Sequence, residues 1–306
     1  METNATITES QNKIPDITKN TVLLSITLRR FECQRKVGND KIEVEADKHL
    51  IKVQKNILES PELQEIKKID GELRNWLRRY TLPSVLKNGV YMLPNGLLGL
   101  VDDYLTKFVD KRKELIQSFL QAYEVRKAET QLRLNGLFNP ADYPSIEEIE
   151  ACFNQEFNYL SFSIPDTLSE ISSSIFNRER QKLADKIQEA GEMAQAAIRL
   201  RFAEMLNHMI ERLTPSVDGK KKIFRDSCVN NLQEFIDNFK AMNITNDVEL
   251  ENQIQKAHNL IQGVDPDSVR SDENFREELK DGFKEINDVI STMVTTKVSR
   301  LIDLED

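Results

Sequence analysis

The strongest constraint in the sequence is a long helical pattern that begins at Leu97 and continues to Leu134, where Asn135-Gly136 ends it. Its apolar positions keep near-heptad spacing, which is typical of helices that pack along their whole length. These positions are Leu97, Val101, Tyr104, Phe108, Leu115, Phe119 and Tyr123. The charged stretch DKRKE at 110–114 interrupts them, and we predict that it is a solvent-exposed turn of the same helix. The pattern therefore predicts one uninterrupted helix of about ten turns.

A second long helix is predicted to begin at Thr167-Leu168-Ser169-Glu170, which has the form of a capping box. Its apolar stripe runs from Leu168 to Met209, and Pro215 ends it. The chain has only 10 glycines and 9 prolines, which favours such long elements. Each long helix would span about 60 Å and bury only a stripe. Both therefore need partners along their length, from the same chain or from another one.

Three short segments have the character of strands. In VLLSITLRRF the apolar residues Leu24, Ile26 and Leu28 alternate with polar ones, and FNYLSFSIP shows a similar alternation. The third segment is the apolar run at 90–93, which Pro94-Asn95-Gly96 follows. Because a single short strand is not stable alone, we expect 22–30, 90–93 and 157–164 to form one small sheet. The Pro-Asn-Gly turn would then lead into the first long helix.

These patterns predict a mainly α protein, namely an elongated bundle of long, coiled-coil-like helices with one small β-sheet of about three strands. Along the chain we expect a disordered tail at 1–20, an α+β part with the sheet and the first long helix at 21–165, and a helical part at 166–306. Shorter helices are predicted at 61–80, at about 221–242, 248–262 and 270–303, and after Ser145.

Charge and cysteine content narrow the classes of function. The net charge is -9, with -1 in residues 1–165 and -8 in 166–306, so the second half would repel nucleic-acid phosphates. The three cysteines lack metal-site spacing, which is typical of reduced thiols in a cytosolic protein. No stretch approaches the ~20 apolar residues of a membrane helix. We therefore expect a cytoplasmic protein without general nucleic-acid binding and without a membrane span.

Two clusters of residues are candidate sites. Glu204, His208 and Glu211 share one helix face, but no second such motif completes a metal site, and we expect no metal. In LRNWLRRY, the residues Arg74, Arg78 and Arg79 lie beside aromatic residues, an arrangement that can contact an anion. Basic residues at this place also complement the dipole at a helix C-terminus. Since no catalytic or phosphate-binding motif occurs, we predict no enzymatic activity and no cofactor.

The segments LLSITLRRF, LRNWLRRYTLPSVLKNGVYMLPNGLLGLVDDYL and SFLQAYE resemble a family of uncharacterised bacterial and phage proteins, a domain of unknown function. The resemblance covers roughly residues 20–210. Genes of that family often neighbour those of a MoxR-like AAA+ ATPase and a von Willebrand factor A protein. The resemblance therefore implies a partner role in an ATPase-driven remodelling module, and it assigns no functional residue.

Two functional hypotheses follow from the sequence. The first is a non-enzymatic scaffold or adaptor that self-associates or binds a helical partner along Leu97–Tyr123 or Leu168–Met209, because long apolar stripes usually mark binding faces. The second is a structural or membrane-active long-helix protein, in which the apolar segment 89–101 would be a tongue that inserts after a rearrangement.

Overall fold

The structure is a computed structural model that describes residues 17–38, 45, 47, 50–216 and 220–294. Across these residues the chain is mainly α with a small amount of β-structure, which confirms the predicted fold class. The helices are α1 (Pro61–Tyr80), α2 (Leu98–Leu134), α3 (Ile146–Cys152), α4 (Thr167–Ile171), α5 (Ser173–Leu213), α6 (Asp226–Met242), α7 (Val248–Ile261), α8 (Pro266–Ser271) and α9 (Glu273–Met293). The strands are β1 (Thr21–Arg29), β2 (Gln34–Lys36), β3 (Gln54–Asn56), β4 (Leu82–Pro83), β5 (Val90–Pro94) and β6 (Asn154–Leu160).

The first long helix matches its prediction closely. Strand β5 ends at Pro94, a 3-10 turn covers Asn95–Leu97, and α2 begins directly afterwards. A Cβ added at Gly96 would lie 3.1 Å from the Cβ of Ala241, so this turn approaches α6 closely. At the other end Asn135 has a φ of 45°, a left-handed conformation that stops an α-helix and that asparagine tolerates well.

The three predicted strands do belong to one sheet, whose order is β4-β5-β1-β6. Strand β4 is an addition to the prediction and pairs antiparallel with β5, with Leu82 opposite Met92. The last strand lies at 154–160 rather than 157–164, because alternation marks an extended segment but not where its pairing ends. A second, antiparallel pair of strands, β2 and β3, was not predicted. With three residues each, these strands are too short to show a period.

Other helix bounds differ from the sequence prediction at local caps. The second long helix begins at Ser173, because Ser172 is extended (φ -158°) and its hydroxyl accepts a hydrogen bond from the Ile175 N–H. Helix α4 is therefore a separate element of five residues. Similarly, Asp272 separates α8 from α9 and accepts hydrogen bonds from the first backbone N–H groups of α9. Residues 1–16 of the tail predicted at 1–20, and the predicted helical residues 295–303, lie outside the described residues. The prediction is wrong for the rest of that tail, because Ile17–Lys19 form a 3-10 turn and Ile17 has no exposed surface.

The chain forms two compact units that do not follow the predicted division at residue 165. Unit 1 contains the described residues up to Leu24, Tyr80–Leu98 and those from Tyr159 onward. Unit 2 contains Ser25–Arg79 and Gly99–Asn158. The linear division fails because strand β5 and the turn after it belong with the C-terminal helices, as the contact of Gly96 with Ala241 illustrates.

Within unit 2, helices α1 and α2 lie antiparallel. The contacting pairs are Glu62 with Arg126, Asp70 with Arg112, and Trp76 with Tyr104. Residue numbers thus increase along α1 while those of the partners on α2 decrease. Between them and the neighbouring loops lies one apolar core cluster. It consists of Phe31, Cys33, Ile57, Leu58, Leu63, Ile66, Ile116, Phe119, Leu120, Tyr123, Tyr143 and Ile149.

Within unit 1, helices α5 and α9 also lie antiparallel. Arg276, near the start of α9, donates from Nε to the carbonyl of Leu213 at the end of α5 (2.9 Å) and from Nη2 to that of Lys222 (3.2 Å). At the other end, Arg199 of α5 donates to the carbonyl of Met293, the last residue of α9 (3.2 Å). Phe202 of α5 stacks on Phe235 of α6 with 5.7 Å between ring centroids. The buried Arg276 and the half-buried Arg199 thus satisfy terminal carbonyls that a helix leaves unpaired.

Candidate functional site

The stripe predicted as a binding face on α2 is mostly buried inside the fold. Leu97, Val101, Phe108, Phe119 and Tyr123 each expose 6% or less of their surface. Leu115 packs against the core cluster of unit 2, and the ring of Tyr104 stacks on Trp76 with a centroid distance of 3.7 Å. These residues therefore serve the core, and the prediction that they form an exposed interaction stripe is corrected. The core supplies their partners from the same chain.

The charged stretch at 110–114 contains a buried ion pair, contrary to its prediction as a solvent-exposed turn. Arg112 has no exposed surface, and its Nε donates to Oδ1 of Asp70 at 2.9 Å. Its Nη2 also donates to the carbonyl of Arg29 (2.8 Å). Its Nη1 lies 3.4 Å from the carbonyl of Asn154. One side chain of α2 thus connects α1, the end of β1 and the start of β6.

A second ion pair fixes the later part of α2 to α1. Arg126 donates to both carboxylate oxygens of Glu62, at 2.7 Å and 3.2 Å, which is the bidentate geometry that arginine favours. The hydrogen bonds from Arg126 lower the pKa of Glu62 from 4.5 to about 2. The carboxylate of Glu62 therefore stays ionised in the folded protein at pH values well below those at which a glutamate normally takes up a proton.

The possible anion contact of Arg74, Arg78 and Arg79 lies on the exposed side of α1. All three side chains are exposed, and Arg78 and Arg79 lie in the last turn of the helix, where positive charge complements the dipole. The neighbouring Trp76 is stacked on Tyr104, so that ring face is covered. Anion binding by these arginines stays a prediction.

The first half of α5 differs from every other long helical segment of the described chain. We call residues 173–189 the α5 N-terminal segment. None of its residues is buried, and Phe176, Glu179, Leu183 and Ile187 are half-buried while the others are exposed. Ile175 exposes 38% of its surface, and Ile171 just before the helix exposes 79%. The segment is therefore an amphipathic helix whose apolar side is only partly covered.

The second half of α5 is a core helix. Its buried residues are Ala190, Gly191, Ala194, Ile198, Phe202, Ala203, Leu206, Met209 and Leu213. Arg199 pairs with Asp247 at the start of α7, at 2.6 Å and 3.0 Å. Burial acts to raise the pKa of Asp247, but hydrogen bonds from Arg199 and from the Leu250 N–H outweigh it, and the pKa lies below its usual value. The covered half of α5 is thus fixed by both packing and charge.

The α5 N-terminal segment carries a regular order of charges around its apolar stripe. Four basic residues, Arg178, Arg180, Lys182 and Lys186, stand among three acidic ones, Glu179, Asp185 and Glu189. Glu179 accepts hydrogen bonds from Arg178 (3.1 Å) and Lys182 (2.9 Å). The segment is therefore slightly basic in a chain whose net charge is -9.

Glu204, His208 and Glu211, the candidate metal residues of the sequence, lie on helix α5. Within the described ranges, no group of three or more His, Cys, Asp or Glu side chains is placed to hold a metal ion. His208 lies 3.8 Å from the sulfur of Cys228. A hydrogen bond from Lys222 lowers the pKa of Glu211, which further marks that residue as a partner of an ion pair. Cys33 is in the core of unit 2, where burial raises its pKa to about 11.

Comparison with known proteins adds no assignment to these sites. No family model matches the chain, and neither a curated protein nor a solved structure shows significant similarity to it. Among the described residues, no helix combines the length and apolar character that a membrane crossing requires. The candidate site therefore rests on geometry alone, and the strongest candidate is the α5 N-terminal segment.

Proposed function

We propose that this protein is a non-enzymatic scaffold or interaction protein, and that it binds its partner through the α5 N-terminal segment, residues 173–189. The observation that carries the proposal is the contrast within one helix. Large apolar side chains continue at helical spacing from the buried half into the first half, at Ile187, Leu183 and Phe176, while no residue there is buried.

The energetics of helices support this choice of surface. A helix in a protein owes most of its stability to the packing of its apolar face. Contiguous apolar surface that a single chain leaves accessible usually marks a site of protein association. Ile171 and Ile175 extend the accessible apolar surface around the start of the helix. A partner helix would complete the burial that the second half of α5 already has.

The identity of the partner has one external lead. The resemblance noted in the sequence implies a MoxR-like AAA+ ATPase or a von Willebrand factor A protein, within a remodelling module. That lead rests on the resemblance alone, and so does the related expectation of a phage or bacterial source. The cytoplasmic location stays part of the proposal, on the grounds of charge and cysteine content.

The alternative of a membrane-inserting tongue at 89–101 has no comparable support. Residues Val90–Pro94 form β5, which lies between β4 and β1 in the sheet. Met92 and Leu93 have no exposed surface. Insertion would require the chain to break its hydrogen bonds to both neighbouring strands and to expose this core, and no feature of the described residues favours that change.

The proposal is tested by Leu183→Glu, which places a charge on the apolar stripe. The matched control is Gln188→Glu, which adds the same charge at an exposed position outside the apolar stripe of the same helix. Affinity purification and cross-linking from native cells, together with sedimentation of the purified protein, report bound partners and self-association. We expect Leu183→Glu to lose association while its melting temperature stays within a few degrees, and the control to keep both. Association that survives Leu183→Glu, or its absence in the wild type, contradicts the proposal.

A further inference from the structure

We propose that the α5 N-terminal segment pairs with the same segment of a second copy of this chain, in antiparallel orientation. This inference rests on the proposed function and names its partner. It is carried by the order of apolar and charged residues between Phe176 and Ile187, taken together with their exposure. The apolar side of the segment forms a short contact line, which we call the seam. In the antiparallel orientation the charged residues beside the seam face residues of opposite charge on the second copy, and in the parallel orientation they do not.

The seam follows a coiled-coil repeat. Phe176, Arg180, Leu183 and Ile187 are spaced by four, three and four residues, which places them at alternating d and a positions. The repeat continues into the buried half of α5 at Ala190 and Ala194, both without exposed surface. The same stripe thus serves the core of unit 1 beyond residue 189, and only its first two heptads keep their side chains half-buried or exposed.

The residues beside the seam determine the orientation. Glu179 and Lys186 occupy the g positions, while the e positions hold the uncharged Asn177 and Ala184. In an antiparallel pair the g side of one helix faces the g side of the other, because reversing a helix exchanges the sides of its stripe. Glu179 then faces Lys186 of the second copy, and the two-fold symmetry repeats this pair. In a parallel pair the g residues would face Ala184 and Gly191, which carry no charge.

The layers of the seam predict a weak association. In the antiparallel register that aligns the charges, Phe176 packs on Ile187 of the second copy, and Arg180 packs beside Leu183 of the second copy. A charged residue at an a position fixes the register at a cost in stability, although its methylene stem covers apolar surface. Glu179 also retains its contacts with Arg178 and Lys182, so its cross-pair adds more to orientation than to affinity. The dimer is therefore expected to exchange with the monomer as concentration changes.

The first experiment removes the charge from the seam. Arg180→Leu is expected to tighten self-association by about tenfold or more, measured by sedimentation equilibrium, because an apolar a residue replaces a charged one. Arg178→Leu is the matched control, since it removes the same charge from an exposed f position on the far side of the helix. Equal strengthening by both variants would indicate non-specific aggregation and would overturn the inference.

The second experiment tests the orientation by exchanging charges in the Arg180→Leu background. Glu179→Lys and Lys186→Glu are each expected to weaken the dimer by several-fold, and the double variant is expected to restore it. Single variants without effect, or a double variant without rescue, would overturn the antiparallel pairing. A wild type and an Arg180→Leu variant that both stay monomeric would overturn the inference as a whole. If Leu183→Glu still lost a different protein partner in that case, the proposed function would stand.

Discussion

The two long helices have similar lengths, 37 residues in α2 and 41 in α5, and both carry heptad-like apolar stripes in the sequence. They differ in how much of the stripe the chain covers. In α2, buried positions occur from Val101 to Thr130. In α5 they begin only at Ala190, after nearly five turns of helix. A heptad pattern thus predicts that a helix exists and which side is apolar, but not whether the same chain covers that side.

The difference lies in the partners that each helix meets. Along α2, the core cluster of unit 2 supplies large rings and aliphatic side chains from α1, α3 and the connecting loops. Two ion pairs with α1 fix the helix at Arg112 and Arg126. Along α5, α9 ends at Met293, whose carbonyl meets Arg199. The earlier turns of α5 therefore lie beyond the described end of the helix that covers its second half.

The comparison between the covered helix α2 and the partly covered helix α5 can be tested by substitutions. The largest effect is expected at the buried ion pair of α2. Asp70→Ala leaves Arg112 buried without its carboxylate, and we expect a loss of about 3–5 kcal/mol in the free energy of unfolding, measured with urea. The double variant Asp70→Leu with Arg112→Met removes both charges and should be clearly more stable than the single variant. A loss below about 1 kcal/mol for Asp70→Ala would show that α2 is held by packing alone.

A matched pair of substitutions compares the two halves of α5. Leu206 has no exposed surface, and Leu206→Ala should destabilise the protein by about 2–5 kcal/mol because it leaves a cavity. Leu183→Ala, the same change on the half-buried stripe, should cost less than about 1 kcal/mol in the monomer. Urea unfolding at low protein concentration, where the chain is monomeric, measures both values. Similar losses at the two positions would place the α5 N-terminal segment in the core.

The smallest effect concerns the pH dependence of the ion pair between Glu62 and Arg126. Because the folded pKa of Glu62 is about 2 against a usual 4.5, the stability from this pair is present above pH 4.5 and is lost as pH falls towards 2. Glu62→Gln should cost about 1–2 kcal/mol at pH 7 and much less at pH 2, as measured by denaturation at each pH.

The control for this pH dependence is Glu129→Gln. Glu129 also pairs with Arg126 but exposes 53% of its side chain, so its loss should cost below about 0.5 kcal/mol. An equal pH dependence for both variants would contradict the assignment to Glu62.

Local signals in the sequence were sufficient for α2 and for the existence of the sheet. A turn of Pro94-Asn95-Gly96 and a stop at Asn135-Gly136 act through backbone geometry that neighbouring residues determine, so both ends were predicted correctly. The burial of Arg112 differs from the prediction because its partner Asp70 is 42 residues away, so the sequence near DKRKE does not show what would neutralise a buried charge. The spacing of α2 does place Arg112 on the apolar side, four residues after Phe108 and three before Leu115, but it cannot reveal the partner.

The start of α5 shows a different reason for a missed boundary. Thr167-Leu168-Ser169-Glu170 has the form of a capping box, yet Ser172 provides the cap that begins the long helix. Serines occur at 169, 172, 173 and 174, so several residues within two turns could each act as the N-cap of the helix. Which one wins depends on the direction that the chain takes after β6, and that direction is set by tertiary structure. The exposure of residues 173–189 likewise depends on where other elements end.

The interleaving of the two units has a consequence for the order in which the chain acquires its structure during synthesis. Unit 2 is complete in sequence at Asn158, so it can fold while the rest of the chain is still being made. Unit 1 cannot complete its folding at that stage, because the carbonyl of Leu213 at the end of α5 accepts a hydrogen bond from Arg276, which lies 63 residues later. The sheet partners of β1 are complete once β6 has been made, but α5 lacks the helix α9 that covers its second half until nearly the whole described chain has followed. Unit 1 is therefore the slower and more aggregation-exposed part of the nascent protein.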